Sequence, residues 1–126
     1  MMAVFMIVTL AAIGLYLLTV SAVQAEATSQ DEQGARAYQA ARTGIEWGAF
    51  QLLRNGSCPA TQLLTLQQGF FATVTCVTVG VENEGAISVN VHLITATGCN
   101  RTACGPTNTG ATYVERQLEL TLTREL

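Results

Sequence analysis

Five side chains invite a chemical reading first: Cys58, Cys76, Cys99, Cys104 and the single histidine, His92. Four thiols allow three pairings. Cys58 follows a helical stretch and Cys76 sits inside the first β candidate, while Cys99 and Cys104 are close neighbours in a later loop. Proximity along the chain favours Cys58–Cys76 and Cys99–Cys104, and a bridge closing a loop of the first kind contributes about 3 kcal/mol. The competing chemistry is zinc, but no C-x-x-C occurs and the spacing is irregular, so disulfides are the expectation. Disulfides in turn place this part of the chain outside the cytoplasm.

His92 alternates with Val91 and Leu93 on a β candidate, which marks it as an exposed strand residue rather than a general base. No serine or cysteine has a partner suited to nucleophilic catalysis, and no glycine-rich phosphate loop occurs. Glu82 and Glu84 fall in a turn, where solvation accounts for them. Catalytic, metal and cofactor sites are all expected to be absent, and the chain is not read as an enzyme. Asn55-Gly56-Ser57 and Asn100-Arg101-Thr102 match the N-x-S/T acceptor pattern, which arises often by chance, and no sugar is expected. Nine acidic and six basic residues, none of them lysine, give a net charge of −3 and no basic face for nucleic acid.

The elements that must carry these groups begin with an uncharged run, Met1 to Ala25. As a helix, its residues to Val23 span about 34 Å, enough to cross a bilayer core of roughly 30 Å. This run accounts for much of an apolar content of 49% that is otherwise high for a soluble domain. Ala22-Val23-Gln24-Ala25 imitates a signal-peptidase site, but the apolar run is longer than a signal h-region and no Lys or Arg precedes it. A retained anchor is the preferred reading, with further residues expected upstream of Met1. Gly14 is the weak point of the run, while Thr9, Thr19 and Ser21 are tolerable because their hydroxyls bond back to helix carbonyls.

Residues 26–55 read as an amphipathic continuation. Ser29-Gln30-Asp31-Glu32 matches a capping box, so a helix break near 24–30 and an unbroken helix both stand open. Ala37, Ala41, Gly44, Ile45, Gly48, Ala49, Leu52 and Leu53 then recur at three- and four-residue steps, with Arg36, Gln39, Thr43 and Glu46 opposite. Ala37, Ala41, Gly44, Ile45, Gly48 and Leu52 are the residues expected against a sheet, because small side chains admit a close approach. Asn55-Gly56 ends the helix.

Residues 56–126 read as a disulfide-stapled β head. After a short segment around Leu63–Leu66, Phe70–Val79 forms the first strand and Val81–Gly85 the turn. Ile87, Val89, Val91 and Leu93 mark the inner face of the second strand, and a loop runs from about 96 to 111. The third strand carries Val114, Leu118, Leu120 and Leu122 inward and Glu115, Gln117, Glu119 and Thr121 outward, with Arg116 an exception on the apolar face. The expected plan is α+β: a long N-terminal helix on a three-stranded, or slightly larger, antiparallel meander.

An apolar helix, an amphipathic continuation and a small disulfide-bearing sheet resemble a type IV pilin or pseudopilin. Ala3-Val4-Phe5-Met6-Ile7-Val8-Thr9-Leu10-Ala11-Ala12-Ile13-Gly14 resembles the pilin N-terminal helix. Residues 36–49, RAYQAARTGIEWGA, and 113–119, YVERQLE, resemble the MshP proteins of the mannose-sensitive haemagglutinin pilus system. The resemblance implies an extracellular filament subunit of a Gram-negative cell surface, held in the inner membrane before assembly. It also implies processing by a prepilin peptidase, N-methylation, an assembly machinery, and copies of itself and other pilins as partners. Met2 stands where the family usually has Glu, and about three mature residues are expected upstream.

Val4, Phe5, Ile7, Val8, Leu10, Ile13, Leu15, Leu17 and Leu18 would form the filament core. Such a helix is stable in lipid and equally in a bundle of its own kind, so association rests on close packing rather than on a large hydrophobic gain. A head-to-tail contact that does not close generates a helical filament. Two other readings remain: a type II secretion pseudopilin, and a single-span periplasmic binding module that never polymerises.

Overall fold

The computed structural model of the chain describes residues 2–85, 87–108 and 110–125. One helix, α1 (Met2–Asn55), precedes four strands: β1 (Gln62–Thr65), β2 (Phe71–Glu84), β3 (Ile87–Cys99) and β4 (Glu115–Glu125). The strands form one antiparallel sheet in the order β1-β2-β3-β4, an α+β arrangement. Two compact units divide the chain, Met1–Glu32 and Gln33–Leu126. Ser29–Glu32 lies inside α1, so its capping-box residues do not start a new helix here. What precedes or occupies Met1 is outside the described residues.

Within Gln33–Leu126, small residues set how closely helix and sheet approach. Gly34, Ala37, Ala40, Ala41, Gly44, Gly48 and Leu52 are buried on one face of α1. A Cβ at Gly44 would lie 2.9 Å from Ala96 Cβ, and one at Gly48 would lie 2.9 Å from Ile94 Cγ2. The closest approach is at Gly98 of β3, where a Cβ would run into the backbone carbonyl of Ala37 and the amide of Ala41. Leu52, Val74, Cys76, Ile94 and Ala96 form the main core cluster, flanked by half-buried Ile45, Trp47, Ala49, Leu64 and Leu122. Ala37, Ala40 and Phe70 form a smaller cluster near Leu66 and Val114.

The helix closes at Gly56, whose φ of +65° is the left-handed conformation that glycine adopts without penalty. Ser57 N–H then donates to the Gln51 carbonyl at 3.1 Å, satisfying one of the last-turn acceptors.

A fourth strand, β1, pairs Gln62–Thr65 with Phe71–Val74 at the edge, so the antiparallel meander takes the slightly larger of the expected sizes. In detail the sheet departs from expectation in three ways. The residues expected as a turn, Val81 to Glu84, extend β2 instead, with Gly85 the first residue beyond it, and β3 continues to Cys99 rather than ending before 96. The third departure is the facing of β3. Its helix-side residues are His92, Ile94, Ala96 and Gly98, all buried, while Val91 and Leu93 lie half-buried on the other side and Ile87 is exposed. Only Val89 of the expected inner set is fully buried. The physical reason lies beyond Leu93: the small residues that let α1 come close occupy the even positions, and strict side-chain alternation then fixes the rest of the strand.

Candidate functional site

Two surfaces are candidates: the apolar half of α1, and the sulfur- and tyrosine-tied part of the head.

In Met1–Glu32 every large apolar side chain named as a filament-core candidate is exposed: Val4, Phe5, Ile7, Val8, Leu10, Ile13, Leu15, Leu17 and Leu18, from 56% for Ile13 to 70% for Phe5. Three hydroxyls among them bond back to the helix backbone. Thr9 Oγ1 donates to the Met6 carbonyl at 2.9 Å, Thr19 Oγ1 to Tyr16 at 2.8 Å, and Ser21 Oγ to Leu17 at 3.0 Å. These bonds hide three hydroxyls that lipid or a tightly packed helix would otherwise leave without a partner. By length and composition α1 is apolar enough to cross a membrane.

In the head, Cys58 is bridged to Cys76 and Cys99 to Cys104, and no cysteine is free. The first bridge fastens the segment leaving α1 to β2, and Cys76 N–H also donates to the Pro59 carbonyl at 3.1 Å. The second closes the start of the 100–114 loop. That loop is held by more than its bridge. Asn100 donates from Nδ2 to the Thr112 carbonyl at 2.7 Å and to Gln33 Oε1 at 3.3 Å, and its Oδ1 accepts from Val114 N–H at 3.1 Å. Tyr113 accepts from Gly105 N–H at 3.1 Å and donates to Glu115 Oε2 at 2.6 Å. Burial first, and then the Glu115 carboxylate, raises the Tyr113 hydroxyl above its ordinary pKa of 10.0.

The exposed strand position expected for His92 is corrected: it is 7% exposed, and its Nδ1 lies 3.1 Å from Thr78 Oγ1. Alternation read only over 87–93 put it on the wrong face. Ala40, Gly34 and Gly98 also escaped the sequence reading, although the Ala40-Ala41 pair and the small-residue run Ala96-Thr97-Gly98 were available signals. Arg116 does occupy the helix-facing side of β4, where its guanidinium covers Gly34, with Nη2 3.1 Å from where a Cβ would be. At the other end Arg124 stands beside Gly56, a cation at the negative end of a helix. The Arg42–Glu46 pair at 3.1 Å is exposed on both sides and adds little.

No family model, no curated protein and no solved structure matches the chain.

Proposed function

We propose that the chain is a structural subunit of a type IV pilus-like filament, anchored in a membrane before assembly and polymerising through residues 4–18 of α1. The observation that supports this reading is the contrast in cover. The unit Gln33–Leu126 buries an apolar core of its own around Leu52, Val74 and Ile94, although Leu63, Val77, Val79, Val81 and Ile87 stay exposed, whereas among the described residues of Met1–Glu32 no large apolar side chain is buried. Each such side chain left in water forfeits roughly 1.5–3 kcal/mol, so the segment needs lipid or other apolar helices around it. Leu, Ile, Val and Phe on all sides suit both surroundings, and the backbone-bonded hydroxyls suit both equally.

Extraction into a filament then costs little, because one apolar solvent replaces another and packing decides the outcome. Copies related head to tail, without ring closure, extend indefinitely. The likeness of residues 36–49 and 113–119 to MshP proteins supports a minor subunit of such a filament.

The test is made on the native cell. Sheared surface filaments are expected to contain the chain, and detergent extracts of the membrane to hold the unassembled pool. A chain found only as a detergent-soluble monomer, never in sheared material, would mark a non-polymerising anchor instead.

A further inference from the structure

The Cys58–Cys76 bridge and His92 form a constellation that the filament reading does not use. Among the described residues they are the one group of three side chains with metal-binding atoms, all within 4.8 Å of one another. We infer that, once a dithiol opens the bridge, the Cys58 and Cys76 thiolates and the His92 imidazole hold a zinc ion in its place.

The sheet register creates the grouping. Cys76 pairs with Ile94 and Thr78 with His92, so Cys76 and His92 are diagonal neighbours on the helix-facing side of adjacent strands. Cys58 is brought to them by the segment that leaves α1. Chain spacing conceals this, since the ligands lie 18 and 16 residues apart with no short motif between them.

The chemistry of the donors selects the cation. Two thiolates and an imidazole are zinc's preferred ligands, and the absence of a carboxylate from the group disfavours calcium or magnesium. Donor atoms around a tetrahedral zinc are about 3.3–3.8 Å apart. The two sulfurs reach that separation by rotating away from their bond, and the ring nitrogen already lies close. Thr78 Oγ1, 3.1 Å from Nδ1, holds the ring as an outer partner would if Nε2 takes the metal. Cys76 and His92 are 4% and 7% exposed, while half-buried Cys58 leaves one side for the ion and a water as fourth ligand.

The balance is complete. The dithiol gives two electrons and two protons to the bridge and becomes a cyclic disulfide. Zinc then displaces two protons from the thiols as it binds. The consequence is a tie between the end of α1 and β2 that survives reducing conditions, whether or not the chain polymerises.

The experiment uses the full-length protein in detergent, reduced with a phosphine that does not compete for metal as a thiol does. Cobalt(II) is titrated in as the spectroscopic probe and then displaced by zinc(II). The expected result is one cobalt per chain, with thiolate-to-cobalt charge-transfer bands that are absent before reduction. Cys58→Ser/Cys76→Ser should abolish the bands and Cys99→Ser/Cys104→Ser should keep them. His92→Gln should weaken binding by more than about 10-fold, the loss that even an outer partner causes. Should that variant fail to fold, the imidazole nitrogen NMR shifts of the wild-type chain on zinc addition decide the same point. Absence of the bands in reduced wild-type protein, bands that follow Cys99 and Cys104, or affinity unchanged by His92→Gln would overturn the inference.

Discussion

Two halves of one helix solve opposite problems. In Gln33–Leu126 the face of α1 is made of Gly34, Ala37, Ala40, Ala41, Gly44 and Gly48, and it is buried against strands of the same chain. In Met1–Glu32 the large apolar side chains Val4, Phe5, Met6, Ile7, Leu10, Ile13, Leu15 and Leu18 are exposed. Small residues suit a partner already fixed at close range, where backbone approach is the source of contact. Large ones suit surroundings that can repack around them, as lipid tails and neighbouring helices do. Helix–sheet packing and helix–solvent matching thus leave different residue signatures within a single element.

Charge should break the first half most strongly. Ile13→Arg places a cation near the middle of the apolar run, at a cost of about 3 kcal/mol in a bilayer, or roughly 100-fold in the insertion equilibrium. Membrane fractionation should show the loss, while both disulfides of the head still form. A glycine change sharpens the comparison. Gly98→Ala drives a methyl into the backbone of Ala37 and Ala41 and should cost about 3 kcal/mol of head stability. Gly14→Ala meets nothing within 4 Å and should leave the head's thermal melt unchanged while favouring helix by about 1 kcal/mol.

The two bridges differ in the same spirit. Cys58–Cys76 spans 18 residues and Cys99–Cys104 spans 5. Loop entropy then assigns about 3 kcal/mol to the first and about 2 to the second. Denaturant melts of the two double Cys→Ser variants should rank in that order. The smallest effect is expected at Tyr113. Its raised pKa means the protonated hydroxyl stabilises the folded loop; this contribution is intact below the unfolded value of 10.0 and is lost as pH climbs through the folded one. Tyr113→Phe should flatten that alkaline fall, as followed by amide exchange of the loop.

Much of the helix was legible because its signals are local. The uncharged run, the three- and four-residue recurrence of small side chains and the Asn55-Gly56 stop all depend on residues near one another. The sheet was harder where partners are distant. Val81 to Glu84 look like a turn in isolation but pair with Ile87 to Asn90 across the hairpin. The facing of β3 depends on what α1 can approach, which no strand-local pattern encodes, and both sides of that strand carry apolar residues. His92 is the sharpest instance: its neighbours suggest an outward position, yet the phase set by Ala96 and Gly98 turns it inward beside Thr78. The loop behaved similarly, since Asn100 joins Gln33 to Val114 across long stretches of sequence.

The most direct measurement is a cryo-EM map of the native filament at side-chain detail over Val4–Leu18. The expected result is those side chains packed against the same helix of neighbouring subunits, with water excluded. Density showing them bathed in solvent, or a mature subunit from which they have been removed, would contradict assembly through this helix.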